Sequence, residues 1–282
     1  MNNKEQLEEI ARGIAEREIR EREEAKRKSE TPEDEDEKEE NESEKAQVIV
    51  NADINPKEYI QVPQHNLVIA KYEPDWTKGK QWVDNIDTPT SGAHFVIQKK
   101  GFFMPGIEHF TTHFMNVKEA YDSKGKSPLF YADGSDVLEK EIEELWNYFS
   151  SKTRKEYPNG NTNCWTWLDA LFREKNGKWF METEHRVVNR KLEHKTIELD
   201  CPIRNDYYVN LDFNSQGFPI NKSGIQDYEK GQNIYFWHPR NNSVAGFFAG
   251  SNWANLYCGR YPQDSNSSLG VFPCAEGAGG GK

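Results

Sequence analysis

The stretch VAGFFAGSNWANLYCGRYPQDSNSSLGVF, which runs from Val244 to Phe272, decides the predicted fold. A strand that packs one side on a core alternates inward and outward residues with a period of two. This alternation directs the odd-numbered residues from Phe247 to Trp253 inward. After Ala254 the parity reverses and the even-numbered residues turn inward, as happens at a bulge or a tight corner. The stretch therefore predicts strands with one side on the core and the other side outward.

The outward side of these strands combines residue types that share no common chemistry. It is too polar for a core strand and too aromatic for a flexible tail. The outward residues are Gly246, Phe248, Gly250, Asn252, Asn255, Tyr257, Gly259 and Tyr261. The inward residues that we expect to carry the packing include Phe247, Trp253, Leu256 and Cys258.

Charge limits the classes of function. The 282-residue chain has a formal net charge of −11, and residues 1–46 hold 10 Lys and Arg against 18 Asp and Glu. The rest of the chain is therefore nearly neutral and lacks the basic surface that nucleic-acid binding requires. No apolar run approaches the roughly 18 residues of a membrane span, and the N-terminus lacks the apolar core of a signal peptide. We expect a cytoplasmic, virion or unconventionally exported protein.

Residues that could carry chemistry are scattered. The four cysteines form no C-x-x-C pair, and His109 and His113 have helical metal spacing but lie among β-branched and aromatic residues. No nucleophile elbow, phosphate loop or dinucleotide fingerprint occurs. The acidic pair Glu182 and Glu184 is not positioned around a pocket by any sequence pattern. The sequence therefore predicts no catalytic residue, no metal and no cofactor.

Composition divides the chain into three parts. Residues 1–46 form a charged arm, mostly disordered or marginally helical, whose thin apolar stripe could serve docking or self-association. Residues 47–275 are the predicted globular domain. Residues 276–282 are a predicted flexible Gly-rich tail.

Within the domain we predict two helices amid short strands and long irregular loops. HNLVIAKYE (65–73) and AHFVIQKKGFFMP (93–105) have strand patterns. GSDVLEKEIEELWNYFSSK (134–152) is the clearest helix, with a capping box at Asp136 and Glu139 and an apolar face of Leu138, Ile142, Leu145, Trp146 and Phe149. NTNCWTWLDALFREKNGK (161–178) has the pattern of a second helix that ends at Gly177. The fold class is therefore α+β.

The inward positions of the opening stretch match a known pattern. They are Val244, Ala245, Phe247, Ala249, Ser251, Trp253, Ala254, Leu256, Cys258, Arg260, Pro262, Ser265 and Leu269–Phe272, followed by Cys274 and the sequence AEG at 275–277. This pattern resembles the variable region of diversity-generating retroelement target proteins, and the resemblance implies a variable region at about 240–272. In such proteins, error-prone reverse transcription at template adenines rewrites selected codons. An AAY codon with its first two bases randomised yields Asn, Tyr, Phe, Gly, Ser or Asp, but not Trp, Lys, Glu, Gln or Met. None of the excluded types occurs in the outward set.

The resemblance implies a fold and a set of binding positions. CWTWLDALFREKNGKWFMETEHRV followed by LGVFPCA is similar to the formylglycine-generating-enzyme branch of the C-type lectin fold. The implied function is binding of diverse protein or glycan ligands, such as those on a cell surface, through variable side chains on a rigid scaffold. The implied scaffold residues are Phe247, Trp253, Leu256, Cys258 and Arg260. The implied ligand-binding positions are Asn242, Gly246, Phe248, Gly250, Asn252, Asn255, Tyr257, Gly259, Tyr261, Asp264 and Asn266.

Two other classes of function stay open on the sequence. Enzymatic members of the branch carry a copper-binding cysteine pair in a C-x-x-x-x-C-x-R-Y context. Here YCGRY supplies Cys258, but Trp253 stands at the earlier position, so the redox pair is incomplete. The first alternative is therefore a formylglycine-generating-enzyme-like oxidoreductase with an altered active site. The second is a structural virion or surface subunit in which the domain only assembles.

Overall fold

Ten strands and three helices occur in the computed structural model, which describes residues 54–87, 89–150 and 156–277. The predicted arm, its boundary at residue 47 and most of the predicted tail lie outside these ranges. The helices are α1 (Ala93–Gln98), α2 (Ile107–Asp122) and α3 (Glu139–Ser150). The strands are β1 (Tyr59–Val62), β2 (Leu67–Ala70), β3 (Trp165–Lys175), β4 (Lys178–Val188), β5 (Lys191–Glu198), β6 (Tyr207–Asn210), β7 (Asn233–Trp237), β8 (Val244–Gly250), β9 (Trp253–Arg260) and β10 (Cys274–Glu276). The mixture confirms the predicted α+β class.

The strands form two sheets. The larger has seven strands in the order β5-β4-β3-β8-β9-β7-β6, and the smaller has the order β1-β2-β10. Every pair in the large sheet is antiparallel except β7 and β9, which run parallel. A parallel pair needs a crossover connection. Here that connection contains β8, which follows β7 and precedes β9 in the sequence. In the strand order of the large sheet, the β8–β9 hairpin lies in the middle.

One face of the large sheet packs against α2 and α3. Phe247 of β8 lies between the rings of Phe110 and Phe114, with centroids 4.9 and 5.5 Å away. Phe149 of α3 contacts Phe110 in turn at 5.7 Å. We call this side the helix-covered face. Because these rings are almost fully buried, this layer is the main hydrophobic core.

The other face of the large sheet is covered only in part. Trp82 and Trp167 are fully buried there, and each indole N–H donates to a backbone carbonyl at 2.9 Å, on Leu168 and Lys80 respectively. Phe248 belongs to the same cluster. We call this side the open face, because its part over β6, β7 and β9 carries half-buried aromatic residues.

Two predicted elements are wrong in type. Residues 93–98, predicted as strand, form α1. Residues 165–175, predicted as helix, form β3, which is buried on both faces. Its last residues continue into a tight hairpin in which Asn176 and Gly177 both have positive φ angles, 54° and 75°. Gly177 is thus a hairpin residue and not a helix stop.

Helix α2 was not predicted, and α3 was predicted with one error at its start. Helix α2 contains His109 and His113, and the latter is fully buried. Helix α3 begins at Glu139, and the Leu138 carbonyl accepts the N–H of Ile142. Leu138, which we placed on the apolar face, therefore stands at the cap and is 65% exposed. The predicted capping box is wrong, because it requires Asp136 at the cap, whereas Glu139 is the first helical residue. The remaining predicted face residues of α3 are buried.

The predicted boundary at residue 275 falls inside a strand. Strand β10 pairs Glu276 with Leu67, and the N–H of Gly277 donates to the carbonyl of Asn66 at 2.8 Å. Among the residues that the structure describes, no helix has the length and apolar character needed to cross a bilayer.

Candidate functional site

The β8–β9 hairpin turns at Ser251 and Asn252, because Gly250 pairs directly with Trp253. The change of parity that we placed after Ala254 therefore occurs at this turn, three residues earlier. From Ala254 to Cys258 the even-numbered residues face the helices, as predicted, and a register shift between Tyr257 and Arg260 then turns Arg260 to the open face. Trp253 therefore lies on the open face and not on the helix-covered face.

Three of the predicted scaffold residues face the helices. Phe247, Leu256 and Cys258 are at most 2% exposed and belong to the main core. Burial raises the pKa of the Cys258 thiol well above its ordinary value, and the neighbouring Cys201 raises it further. Reactive cysteines are accessible and have lowered pKa values. Cys258 has the environment of a packing residue.

Trp253 was predicted to be a core residue, and this is wrong. It is half-buried on the open face, where its ring centroid lies 6.0 Å from that of Trp165. Because part of its surface stays in water, truncating it costs less than truncating a fully buried ring. Trp253 belongs with the aromatic residues of the open face.

Six half-buried aromatic residues lie together on the open face, and we call them the aromatic surface. They come from β3, β6, β7 and β9, and all six side chains point to one side of the sheet. They are Trp165, Tyr208, Tyr235, Trp237, Trp253 and Tyr257.

The aromatic surface is continuous from one strand to the next. Tyr208 contacts Tyr235 at 4.9 Å between centroids, and Tyr235 contacts Trp237 at 5.1 Å. Trp237 contacts Tyr257 of the neighbouring strand at 5.0 Å. Buried Phe248 connects Tyr257, at 6.1 Å, to Trp165, at 5.4 Å. The half-buried rings lie on four of five adjacent strands and span about 19 Å at the usual strand spacing, with Phe248 of β8 buried between them.

The predicted binding positions differ in their exposure. Asn242, Asn252, Tyr261 and Asn266 are exposed, and Asn255, Tyr257, Gly259 and Asp264 are half-buried. Gly246, Phe248 and Gly250 are buried. Phe248 lies on the predicted side of the sheet but is only 3% exposed, because the segment around Trp82 and Trp167 covers it. The prediction that its side chain points into solvent is wrong.

Two glycines of the set differ in the space around them. A Cβ atom at Gly246 would lie 2.8 Å from the backbone oxygen of Thr166 and 2.7 Å from the ring of Phe248. A Cβ at Gly259 would meet nothing closer than 3.4 Å. Position 259 therefore accepts a side chain, whereas position 246 does not without movement of the strand.

The hairpin separates some of the predicted positions. Asn252 is at its turn, and Tyr261 follows the far end of β9, where Val244 pairs with Arg260. Asn255 and Tyr257 lie between these ends, within the aromatic surface. Asn242 lies beyond the far end of β8, where it accepts a hydrogen bond from Arg173. Asn242 is therefore apart from the aromatic surface.

Arg260 was assigned to the scaffold, and it packs on aromatic rings of the open face. Its guanidinium carbon lies 4.9 Å from the ring centroid of Phe248 and 5.4 Å from that of Trp167. Its Nε lies 3.4 Å from a carboxylate oxygen of Asp264. Arg260 thus connects the buried rings to the segment that follows β9.

A buried carboxylate holds the edge of the aromatic surface in place. Glu73 accepts the backbone N–H of Trp165 at 3.1 Å, the hydroxyl of Tyr148 at 2.5 Å and the amide of Asn159 at 3.0 Å. Burial raises the pKa of Glu73 to about 7, although the hydrogen bonds from Tyr148 and Trp165 act in the opposite direction. The indole N–H of Trp165 also donates to the carbonyl of Ala249 at 3.0 Å. Trp165 is therefore fixed at both its backbone and its ring.

A second group of polar residues lies under Trp82, and the sequence analysis did not predict it. Asp169 accepts the ring Nδ1–H of His185 at 2.5 Å and lies 3.5 Å from Nε2 of His94. Burial raises the pKa of Asp169, but the charges of the two histidines and the hydrogen bonds from His185 outweigh burial and lower it. Burial also lowers the pKa of His94 to about 4. Asp169 and His185 line a cavity of about 340 Å³ together with Glu184.

No protein-family model, no curated protein and no solved structure matches this chain.

Proposed function

We propose that this protein is a ligand-binding variable protein with a C-type lectin-like domain, and that a retroelement diversifies its C-terminal region. In this proposal the aromatic surface and the neighbouring exposed residues contact the partner. The positions that vary in this proposal are the exposed or half-buried ones from the hairpin turn onward, namely Asn252, Asn255, Tyr257, Gly259, Tyr261, Asp264 and Asn266. The protein has no catalytic role in this account.

The observation that carries the proposal is the aromatic surface, whose half-buried rings are linked by contacts and lie next to predicted binding positions. Asn255 pairs with Tyr235, and Tyr257 pairs with Trp237, so the predicted binding positions lie beside aromatic residues of another strand. Contiguous apolar surface of this kind marks interaction sites on soluble proteins. Large aromatic residues are also the commonest hot spots of interfaces.

The residue types resemble those of an antibody paratope. Tyr and Trp provide a large contact area at a low cost in conformational entropy, and Asn and Ser provide adaptable hydrogen bonds. The helix-covered side of the same hairpin is tightly packed, with Phe247 against two phenylalanine rings. Side chains on the open face can thus change while the backbone stays in place.

A protein surface is the partner that we favour. A broad surface across five strands suits a flat partner better than the concave pocket that small ligands occupy. A glycan and a second copy of this chain are the other partners that the aromatic residues could contact. Binding to purified protein targets and to a glycan array would separate these cases.

The enzymatic alternative places its chemistry at Cys258. Burial of this thiol on the helix-covered face, together with its raised pKa, counts against a role as nucleophile or copper ligand. The alternative predicts a copper-dependent activity that is lost in Cys258→Ser. The binding proposal predicts no such activity.

Two matched codon libraries of the full chain test the proposal. In the first, AAY-type randomisation is applied to Asn252, Asn255, Tyr257 and Tyr261, and in the second to four core positions, Phe247, Ala249, Leu256 and Cys258. After surface display and protease challenge, we expect most clones of the first library and few of the second to remain intact. Selection on purified proteins should then yield binders from the first library. Equal loss of folded clones in both libraries would contradict the proposal.

A further inference from the structure

Strand β4 contains an extra residue that changes the direction of its side chains. Thr183 pairs with Lys195 and Arg186 pairs with Glu193, so β4 advances three residues while β5 advances two. Glu184 lies at this bulge with a φ of 56°, which is uncommon for a residue other than glycine. Bulges redirect side chains and often occur at functional sites.

The bulge brings three potential metal ligands to one place. Glu182 lies before it and His185 after it, and the extra residue lets both point to the same side of the strand. His194 of β5 lies opposite the bulge. One ring nitrogen of each histidine and one carboxylate oxygen of Glu182 lie within 4.8 Å of one another.

Each histidine has its Nδ1 atom engaged, which leaves Nε2 for a ligand. Nδ1 of His185 bonds to Asp169 at 2.5 Å, and Nδ1 of His194 lies 3.4 Å from the carbonyl of Leu192. Nε2 of His185 is buried and has no hydrogen-bond partner among the described residues. Metal-binding histidines usually donate their other ring N–H to a carboxylate or a backbone carbonyl in this way. A buried nitrogen without a partner carries a cost that a bound ion would remove.

The carboxylate of Glu182 is divided between two partners. One oxygen accepts from Nε of Arg173 at 3.3 Å, and the other lies 3.7 Å from Nε2 of His194. Two ligands of a tetrahedral zinc ion are separated by about 3.4 Å, given metal–ligand distances near 2.1 Å. The observed separation is close to this value. Glu182 can therefore keep its bond to Arg173 while its free oxygen binds an ion.

We propose that Glu182, His185 and His194 bind a divalent transition-metal ion of the Zn²⁺ class, which links β4 to β5. Two imidazoles and one carboxylate suit Zn²⁺, Co²⁺ and Ni²⁺ better than the oxygen-preferring Mg²⁺ and Ca²⁺. Asp169 orients His185 from the outer shell. His194 is about one-third exposed, which gives the ion a path from solvent and leaves room for water as a further ligand. This site is on β4 and β5, at the opposite end of the sheet from β6 and β7, and it does not depend on the proposed binding function.

Titration of the full chain with Co²⁺ tests this site. After treatment with EDTA and dialysis, CoCl₂ is added and the visible absorption is recorded, followed by displacement with ZnCl₂. We expect a saturable spectrum of one Co²⁺ per chain, which Zn²⁺ removes. The affinity should fall at least about tenfold in Glu182→Gln and in His194→Gln, because each loses one ligand. Glu184→Gln is the matched control, since it removes the same charge two residues away, and it should bind like the wild type.

The acidic arm can bind divalent ions weakly, so the comparison of variants is decisive. Circular dichroism would show that each variant is folded, which we expect because Glu182→Gln preserves shape and His194 is exposed. The absence of a Co²⁺ spectrum in the wild type would overturn the assignment. A spectrum that His194→Gln or Glu182→Gln leaves unchanged would overturn it as well.

Discussion

Replacing Phe247 with alanine is expected to lower the free energy of unfolding by about 3–5 kcal/mol. Phe247 is 2% exposed, and its ring packs on Phe110 and Phe114 of α2, so alanine leaves a cavity between helix and sheet. The loss combines the transfer free energy of the ring with the cost of that cavity. Urea unfolding monitored by circular dichroism measures the change in the free energy of unfolding.

Tyr261→Ser is the control for this loss. Tyr261 is also an aromatic residue of the C-terminal region, but it is 70% exposed. Surface substitutions of this kind usually change stability by no more than about 0.5 kcal/mol. A loss at Tyr261 equal to that at Phe247 would contradict the assignment of the two faces of the hairpin.

The second large effect is expected on binding. In a variant with Asn252, Asn255, Tyr257 and Tyr261 all changed to serine, the affinity for a captured partner should fall by roughly a thousandfold. Truncation of an aromatic hot spot costs roughly 2 kcal/mol, and two tyrosines are lost here. About 1.4 kcal/mol corresponds to a factor of ten in affinity. Biolayer interferometry with the immobilised partner measures the loss, and the melting temperature should change little.

A matched variant on the other side of the sheet serves as the control. Tyr121→Ser combined with Asn116→Ser removes a tyrosine and an asparagine from α2, on the helix-covered side, where both side chains reach solvent. This variant should bind the partner like the wild type. Equal loss of affinity in the two variants would show that the aromatic surface is not the contact region.

The alternation of the opening stretch predicted the two sides of the hairpin correctly for most positions. Phe247, Leu256 and Cys258 face the helices because a half-covered strand must direct its apolar residues to the core. The error came from the turn, because Ser251 and Asn252 were included in a continuous strand. The parity change was therefore placed too late, and Trp253 was assigned to the wrong side.

The error in β3 has a different physical cause. Leu168 and Phe172 pack on one face of the sheet and Leu171 packs on the other. A strand buried on both faces is a continuous apolar run, whose periodicity cannot distinguish it from a buried helix. Helix α2 was not predicted because its aromatic and β-branched residues have low helix propensity. Its helical structure is determined by tertiary packing.

Most of the aromatic surface could not be predicted from the sequence. Tyr208, Tyr235 and Trp237 lie on β6 and β7, which precede the β8–β9 hairpin in the sequence. Only the parallel pairing of β7 with β9 brings them beside Tyr257. The proposed metal ligands could not be predicted for the same reason. The acidic pair Glu182 and Glu184 was noted, but the bulge that separates their directions depends on pairing with β5.

Diversification of the C-terminal region by a retroelement can be tested by sequencing the 3′ end of the gene and its flanking DNA from many members of the source population. We predict an adenine-rich near-copy of the 244–274 coding segment beside a reverse-transcriptase gene. Substitutions should be concentrated in the codons of Asn252, Asn255, Tyr257 and Tyr261, while the codon of Leu256 stays constant. Substitutions spread evenly over exposed and buried positions, or flanking DNA with no near-copy, would contradict the account.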